Sequence, residues 1–522
     1  MFSVANKTRF AFLVRHPILT AATCRHCNVC CRRRCAMKAS GILLHITSLP
    51  SCSGVGTLGD VDRFVEFLKA SGQKYWQILP VTPVDFVNSP YASPSAFAGN
   101  TLLIDLDDLA EQGLITDKTL SECKTCRGND FAFARCHNEV ALREAYNNFV
   151  RYNPPADYED FCRANDYWLG DYALFCAVKA HFDGKPWSDW DDDIRMRTPA
   201  AISRYTDMLS DEIDYYVFCQ YVFDRQWSTF RAKLAAADIK LVGDIPIYVA
   251  YDNADVWAHP ELFELTADRR PSWVAGVPPD YFSEDGQLWG NPLYDWDEMK
   301  RSGYDWWLRR VARCAELFDV LRIDHFRAFD SYYAIRYGET TARRGHWRKG
   351  VGYDFLKILQ DSVPDLTIVA EDLGDIPDSV LKLRDKCGFA GMKVVQFAFD
   401  GNPYNAFLPA NHEAHCVAYL GTHDNDTTTG WWNSLSDGEK QRVLDTLHLP
   451  DGDHIAHKMI ELLAASNAEL TIYTMQDIAE RDSSARMNCP GTTGWWRYMA
   501  ERGDFCNGTA KWLKKITTNS GR

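Results

Sequence analysis

The sequence predicts an α/β fold: a (β/α)8 TIM barrel with a large, mainly helical insertion between strands 2 and 3 and extended active-site loops. Three observations lead there. Eight short apolar runs of strand type recur along the chain, separated by helical patterns. Four of the runs end in acids: Leu241-Val242-Gly243-Asp244, Leu321-Arg322-Ile323-Asp324, Thr367-Ile368-Val369-Ala370-Glu371-Asp372, and Val417-Ala418-Tyr419-Leu420-Gly421-Thr422-His423-Asp424. In a barrel of parallel strands every carboxyl end opens into one mouth, so acids distant in sequence become neighbours. Between the second and third runs, residues 100–236 carry helical spacing and no convincing strand.

A chain of 522 residues is too long for one bare core of typical size, which fits a barrel enlarged by insertions. Its 46% hydrophobic content and net charge of −14 describe an acidic globular protein and argue against nucleic acid as a partner. No apolar run approaches the roughly 20 residues needed to span a bilayer, so no membrane association is expected.

Residues 1–36 stand apart, with seven Lys and Arg, no Asp or Glu, and cysteines at 24, 27, 30, 31 and 35. Three readings compete: an organelle transit peptide, a metal site built on the CxxC spacing, or a stretch upstream of a functional start at Met37. The last is preferred, because Met37-Lys38-Ala39-Ser40-Gly41 leads directly into the first strand pattern. This makes residues 1–36 an atypical extension outside the fold and 37–522 the catalytic barrel. The remaining cysteines are scattered, which suits a reducing compartment. The expected location is the cytoplasm, or a plastid if residues 1–36 act as a transit peptide.

The first strand is Gly41 to Ile46, bounded by Thr47, Ser48 and Pro50. Gly54-Val55-Gly56-Thr57-Leu58-Gly59 is formally a GxGxxG, but Pro50 and further residues separate it from the strand. The preferred reading is a loop capping a helix over 61–70 rather than a dinucleotide fingerprint. Tyr75 to Pro80 is the second strand. The turn-rich, aromatic loop 89–100 follows, in which Tyr91 is either a sugar platform or an ordinary anchor; the residue alone favours the anchor. Lys240 to Ile247 is the third strand. The run from Asp255 to Trp296 holds Trp257, Trp273, Tyr281, Phe282, Trp289, Tyr294 and Trp296 and reads as a long irregular active-site loop, about 250–296. Flat aromatic rings stack on the C–H faces of sugars while carboxylates and amides take the hydroxyls. The fourth strand leads to Asp324 and the fifth to Glu371. Met392 to Phe397 is the sixth, Cys416 to Leu420 the seventh and Leu470 to Met475 the eighth.

Cleaving a glycosidic bond with retention needs a carboxylate nucleophile and a protonated carboxylic acid about 5 Å apart. Asp324, Glu371 and Asp424 can supply nucleophile, acid/base and a third carboxylate whose charge raises the acid's pKa. Arg322 lies on the same side of its strand as Asp324 and would keep it ionised. His423 can bond sugar hydroxyls. On residues alone a divalent cation among the strand-end acids remains an equal alternative, although no HExxH or His-x-His pattern is present.

Several segments resemble those of a known family. Gly243-Asp244-Ile245-Pro246-Ile247-Tyr248-Val249, Arg322-Ile323-Asp324-His325-Phe326-Arg327, Ala370-Glu371-Asp372-Leu373-Gly374 and Gly421-Thr422-His423-Asp424-Asn425-Asp426-Thr427 are similar to the four signature segments of the amylomaltases. These are 4-α-glucanotransferases, or disproportionating enzymes, of the α-amylase clan. Ser89-Pro90-Tyr91, the stretch from Val274 to Ser283 and Trp289-Gly290-Asn291-Pro292 resemble the family's substrate-binding loops. The resemblance implies Asp324 as nucleophile, Glu371 as acid/base and Asp424 as the carboxylate that distorts and holds the sugar. It further implies substrate contacts from Tyr91, Asp244, Asp280, Tyr281, Phe282, Trp289, Arg322 and His423. The implied partners are an α-1,4-glucan donor and a glucose or maltooligosaccharide acceptor, with no metal and no organic cofactor. An α-1,4-glucan hydrolase using the same acids is the alternative. Departures from the pattern fall at 85–88, where a glycine-rich turn is usual, at Ala328, where glycine is common, and at 494–499, which lacks an asparagine and an arginine that the family pattern suggests.

Overall fold

A computed structural model describes residues 38–151, 154–279 and 283–522. The readings made for 1–36, and for Asp280, Tyr281 and Phe282, fall outside the described residues.

Eight parallel strands form the barrel: β1 Ala39–Leu43, β2 Tyr75–Gln77, β3 Lys240–Pro246, β4 Val320–Asp324, β5 Thr367–Ala370, β6 Gly391–Val394, β7 Cys416–Tyr419 and β8 Leu470–Thr474. They neighbour one another in the order β6-β7-β8-β1-β2-β3-β4-β5. A parallel bridge between Val369 and Ala390 joins the two ends, with the Ala370 amide donating to the Ala390 carbonyl at 2.9 Å. The strands are short because each sits between helices outside and other strands' side chains inside, and such strands read as continuous apolar runs rather than alternating ones. β1, β5, β7 and β8 are buried almost end to end.

Between β2 and β3 the chain makes a set of helices, the longest being Phe131–Arg151, Leu169–His181 and Ser210–Ala236. The last buries Tyr215, Phe218, Phe223, Trp227, Phe230 and Leu234. Its C-terminal half packs directly on the barrel, with Phe230 edge-on to Trp76 of β2 at 5.3 Å and Trp227 edge-on to Phe318 at 6.2 Å. One continuous apolar stripe therefore serves both the inserted helices and the barrel wall.

The region 250–296 differs from its sequence reading. It is not irregular throughout: Trp273–Val277 and Gln287–Pro292 are antiparallel strands of a second, four-stranded sheet completed by Ser331–Arg336 and Gly345–Lys349. Its two hairpins are joined by the pairing of Trp273–Val277 with Ser331–Arg336, segments far apart in sequence, which local periodicity does not report. Several of its aromatics are core: Trp257 and Tyr294 are fully buried, and Trp296 stacks on Trp307 at 6.3 Å.

The GxGxxG stretch finds a packing explanation. A Cβ on Gly56 would lie 2.1 Å from the Ile46 carbonyl oxygen, so only glycine lets the loop close on the end of the first barrel unit. Thr57 and Asp60 cap one another across the turn that leads into helix Asp62–Ser71, whose Phe64, Val65, Phe67 and Leu68 are buried. Among the described residues no helix is long and apolar enough to cross a membrane.

Gly243, next to the acid at the end of β3, tests the tightness of the wall. A Cβ there would meet Phe318 ring atoms at 2.3 Å. Gly243→Ala is expected to lower stability by about 1–3 kcal/mol through overpacking, seen as a lower denaturant midpoint at unchanged slope.

Candidate active site

The site is assembled by register. Asp244 of β3 stands directly opposite Arg322 of β4, and parallel partners point to the same face, here the barrel interior. Asp324 follows Arg322 by two positions and shares that face. Arg322 is paired across with Val369 of β5, so Glu371, two residues beyond Val369, also faces inward. The ladder continues past the strand ends: the Glu371 amide donates to the Ile323 carbonyl at 3.1 Å, and the Phe326 amide to the Glu371 carbonyl at 3.1 Å.

Arg322 is the hub. Its Nη1 donates to Asp244 Oδ2 at 2.6 Å and its Nη2 to Asp324 Oδ1 at 2.8 Å. The Arg322 and Asp244 side chains are 3% and 0% exposed, whereas that of Asp324 is 30% exposed. One buried cation thus holds one buried acid and one acid open to the cleft. Burial pushes the Asp244 carboxyl up, Arg322 opposes this and Asp324 reinforces it. A guanidinium already occupies the place from which a divalent cation would have to bridge Asp244 and Asp324, and this weakens the cation reading of the acids.

Glu371 is held without a cation of its own. Its Oε2 accepts from the His325 amide and its Oε1 from the Leu373 amide, both at 2.8 Å. Those bonds and the more distant Arg322 favour the ionised form, but burial and then the charge of Asp324 outweigh them, raising the group to about 7. The His325 amide reaches Glu371 because His325 adopts φ 53°, a left-handed conformation that costs a non-glycine residue of order 1 kcal/mol. The His325 ring is half-buried and edge-on to Trp289 at 4.8 Å, and desolvation lowers its pKa to about 4, so it is neutral.

Asp424, beyond β7, has a side chain 38% exposed. Asn488 Nδ2 donates to its Oδ1 at 2.6 Å, and His423 Nε2 lies 3.3 Å from its Oδ2. Arg486 donates to its main-chain carbonyl at 2.8 Å. His423 is buried, which lowers its pKa against the upward pull of Asp424, so its Nε2 hydrogen is the one facing that carboxylate. Its ring stacks on Tyr91 at 5.2 Å, and the Tyr91 hydroxyl donates to Asp244 Oδ2 at 2.8 Å.

An unbroken chain of contacts therefore runs from Glu371 through the turn at His325 to Asp324, Arg322, Asp244, Tyr91, His423 and Asp424. Trp289 joins it through His325. Of the residues singled out in the sequence, only Asp280, Tyr281 and Phe282 lie outside the description. Three participants were missed: Arg486, Asn488 and Trp496, whose ring lies 5.8 Å from Tyr91 and 6.0 Å from His423. They follow the last strand in a loop with no apolar run pointing at it, and the one available signal was polar residues beside the divergent 494–499 stretch.

Fold and site together define a (β/α)8 barrel of the enzyme type, with carboxyl groups gathered at its C-terminal mouth. The family model for 4-alpha-glucanotransferases matches residues 44–503. The 4-alpha-glucanotransferase of Synechocystis sp. is 42% identical over 492 residues, covering 92% of this chain and 97% of the relative. That of Thermus thermophilus is 42% identical over 481 residues, covering 90% and 96%. The solved amylomaltase from Streptococcus agalactiae in complex with acarbose superposes with a TM-score of 0.89 at 37% identity, covering 93% of this chain and 99% of that one. The chain belongs to the 4-alpha-glucanotransferase family, and its activity is transglycosylation.

Asn488 gives the clearest test of this geometry. Removing one hydrogen bond to a charged group costs about 1.5–3 kcal/mol. Asn488→Ala is therefore expected to lower kcat roughly 10- to 100-fold while leaving the circular dichroism spectrum unchanged, measured as glucose released from maltotriose.

Proposed function

We propose that the enzyme moves α-1,4-glucan segments from a maltooligosaccharide, starch or glycogen-type donor to the 4-hydroxyl of a glucose or maltooligosaccharide acceptor, by double displacement. The observation that carries the reading is the unequal environment of two neighbouring carboxyls. Asp324 bonds a guanidinium and serves as the anion, while Glu371 is raised to about 7 and serves as the proton carrier. Arg322 takes Asp324 Oδ1, leaving Oδ2 to attack the anomeric carbon. As the C–O bond to the leaving glucan breaks, Glu371 gives its proton to the departing 4-oxygen. The glucosyl ester on Asp324 is then attacked by an acceptor 4-hydroxyl, whose proton passes to Glu371 as the ester bond breaks and Asp324 is regenerated. Every proton and electron pair is accounted for by the two carboxyls and the two sugars, so no step calls for a metal or an organic cofactor.

Asp424, fixed by Asn488 and His423, is assigned to the hydroxyls of the sugar at the cleavage point, with His423 completing that subsite beside it. Tyr91, Asp244, Arg322 and Trp289 are assigned to shaping that subsite, and Asp280, Tyr281 and Phe282 to a loop that excludes water and receives the acceptor. Transfer in place of hydrolysis requires the ester to meet sugar before water. The assigned location is the cytoplasm.

Incubation with maltotriose tests the reading. Glucose together with a ladder of longer maltooligosaccharides is expected, whereas reducing ends rising with each bond cut would mean hydrolysis. Glu371→Gln is expected to reduce turnover by about 10²–10⁴-fold and to retain glucan binding in calorimetry.

The pH profile follows from the direction of the Glu371 shift. A general acid must be protonated, so kcat/KM is expected to fall as pH rises through about 7, tenfold per unit beyond it. A profile flat to pH 9 would take the role away from Glu371.

A further inference from the structure

We propose that His454, His457 and Glu480 form a binding site for a divalent first-row transition ion, zinc above all. Nothing in the transfer reaction uses these side chains, and none belongs to the chain of contacts around Arg322. Their ligand atoms lie within 4.8 Å of one another. His454 Nδ1 is 2.8 Å and His457 Nδ1 3.7 Å from the same oxygen, Glu480 Oε2.

The tautomer of His457 is decided by its surroundings. Its Nε2 lies 2.9 Å from the Ile478 carbonyl oxygen, which can only accept, so Nε2 carries the hydrogen and the Nδ1 lone pair faces Glu480. Donation of the second ring nitrogen to a main-chain carbonyl is how metal-binding histidines are oriented. Trp512 lies against the same ring, centroids 4.0 Å apart, and restricts its rotation. The His454 side chain is 74% exposed, which leaves room for water to complete a tetrahedral shell. Two imidazoles and one carboxylate suit zinc rather than calcium or magnesium, which take oxygen ligands.

The placement gives the site a structural consequence. His454 precedes helix Ile455–Ala465, Trp512 belongs to the C-terminal helix Asn507–Asn519, and Glu480 opens the segment that ends at Asn488. Within that segment Ser483 donates to Asp426 at 2.7 Å, and Arg486 and Asn488 hold Asp424. A metal here ties that segment to the outer helices.

Calorimetric titration of the full chain with zinc chloride, after chelation and desalting, tests the site against His454→Ala, His457→Ala, Glu480→Gln and the double histidine variant. Other ligands, including the cysteines of residues 1–36, contribute equally to all forms. The expected result is one bound zinc per chain fewer in the double variant, about tenfold or more weaker binding in each single variant, and a zinc-dependent rise in unfolding temperature seen only in the parent. His454→Ala, at an exposed position, guards against a fold defect. Equal stoichiometry and affinity in the parent and the double variant overturn the proposal.

Discussion

A single buried guanidinium sets the terms for everything at the mouth of this barrel. Arg322 has no water to solvate it, and an unpaired charge at that depth costs several kcal/mol. Its two acid partners are therefore obligatory, and they are unequal partners. Asp244 is sealed in the wall, while Asp324 opens to the cleft. The pairing aims Asp324 into the cleft, and it makes β3 and β4 keep one register, since a slip of one residue would turn Arg322 or Asp244 out of the interior.

Glu371 shows the opposite solution. Among the described residues no cation bonds it, and two main-chain amides hold both its oxygens in place while its own burial and then the negative charge of Asp324 raise its pKa to about 7. The geometry depends on the strained turn at His325, which directs an amide across to β5. Backbone strain is thus stored where β4 ends, and the edge-on contact of Trp289 with the His325 ring helps to hold it. The result is two carboxyls at the ends of adjacent strands in unlike surroundings, one bonded to a guanidinium and one held by main-chain amides.

Much of this was legible from residue order. The eight strands, the helices between β2 and β3, and the acids at strand ends all follow from apolar runs and their punctuation, because burial on both faces leaves a strand no choice but to be apolar until it reaches the mouth. The four-stranded sheet at 273–349 was not legible, since its two hairpins are joined only by the pairing of Trp273–Val277 with Ser331–Arg336, segments far apart along the chain, and its two edge strands are largely exposed. Asn488 and Trp496 escaped for a similar reason: they reach the site from a loop after the last strand, carried by neither period nor motif.

Residue order alone was enough to find the eight barrel strands to within a few residues and the acids near their carboxyl ends, since these follow from local chemistry and from the cost of burying charge. Only the tertiary structure decided which acid is paired with the guanidinium and which is held by amides. It also brought Asn488 to Asp424, and two histidines to a glutamate two dozen residues further on. Protonation and ligand geometry depend on distances of 2.6–3.7 Å between segments separated in sequence, and such distances exist only once the chain has closed on itself.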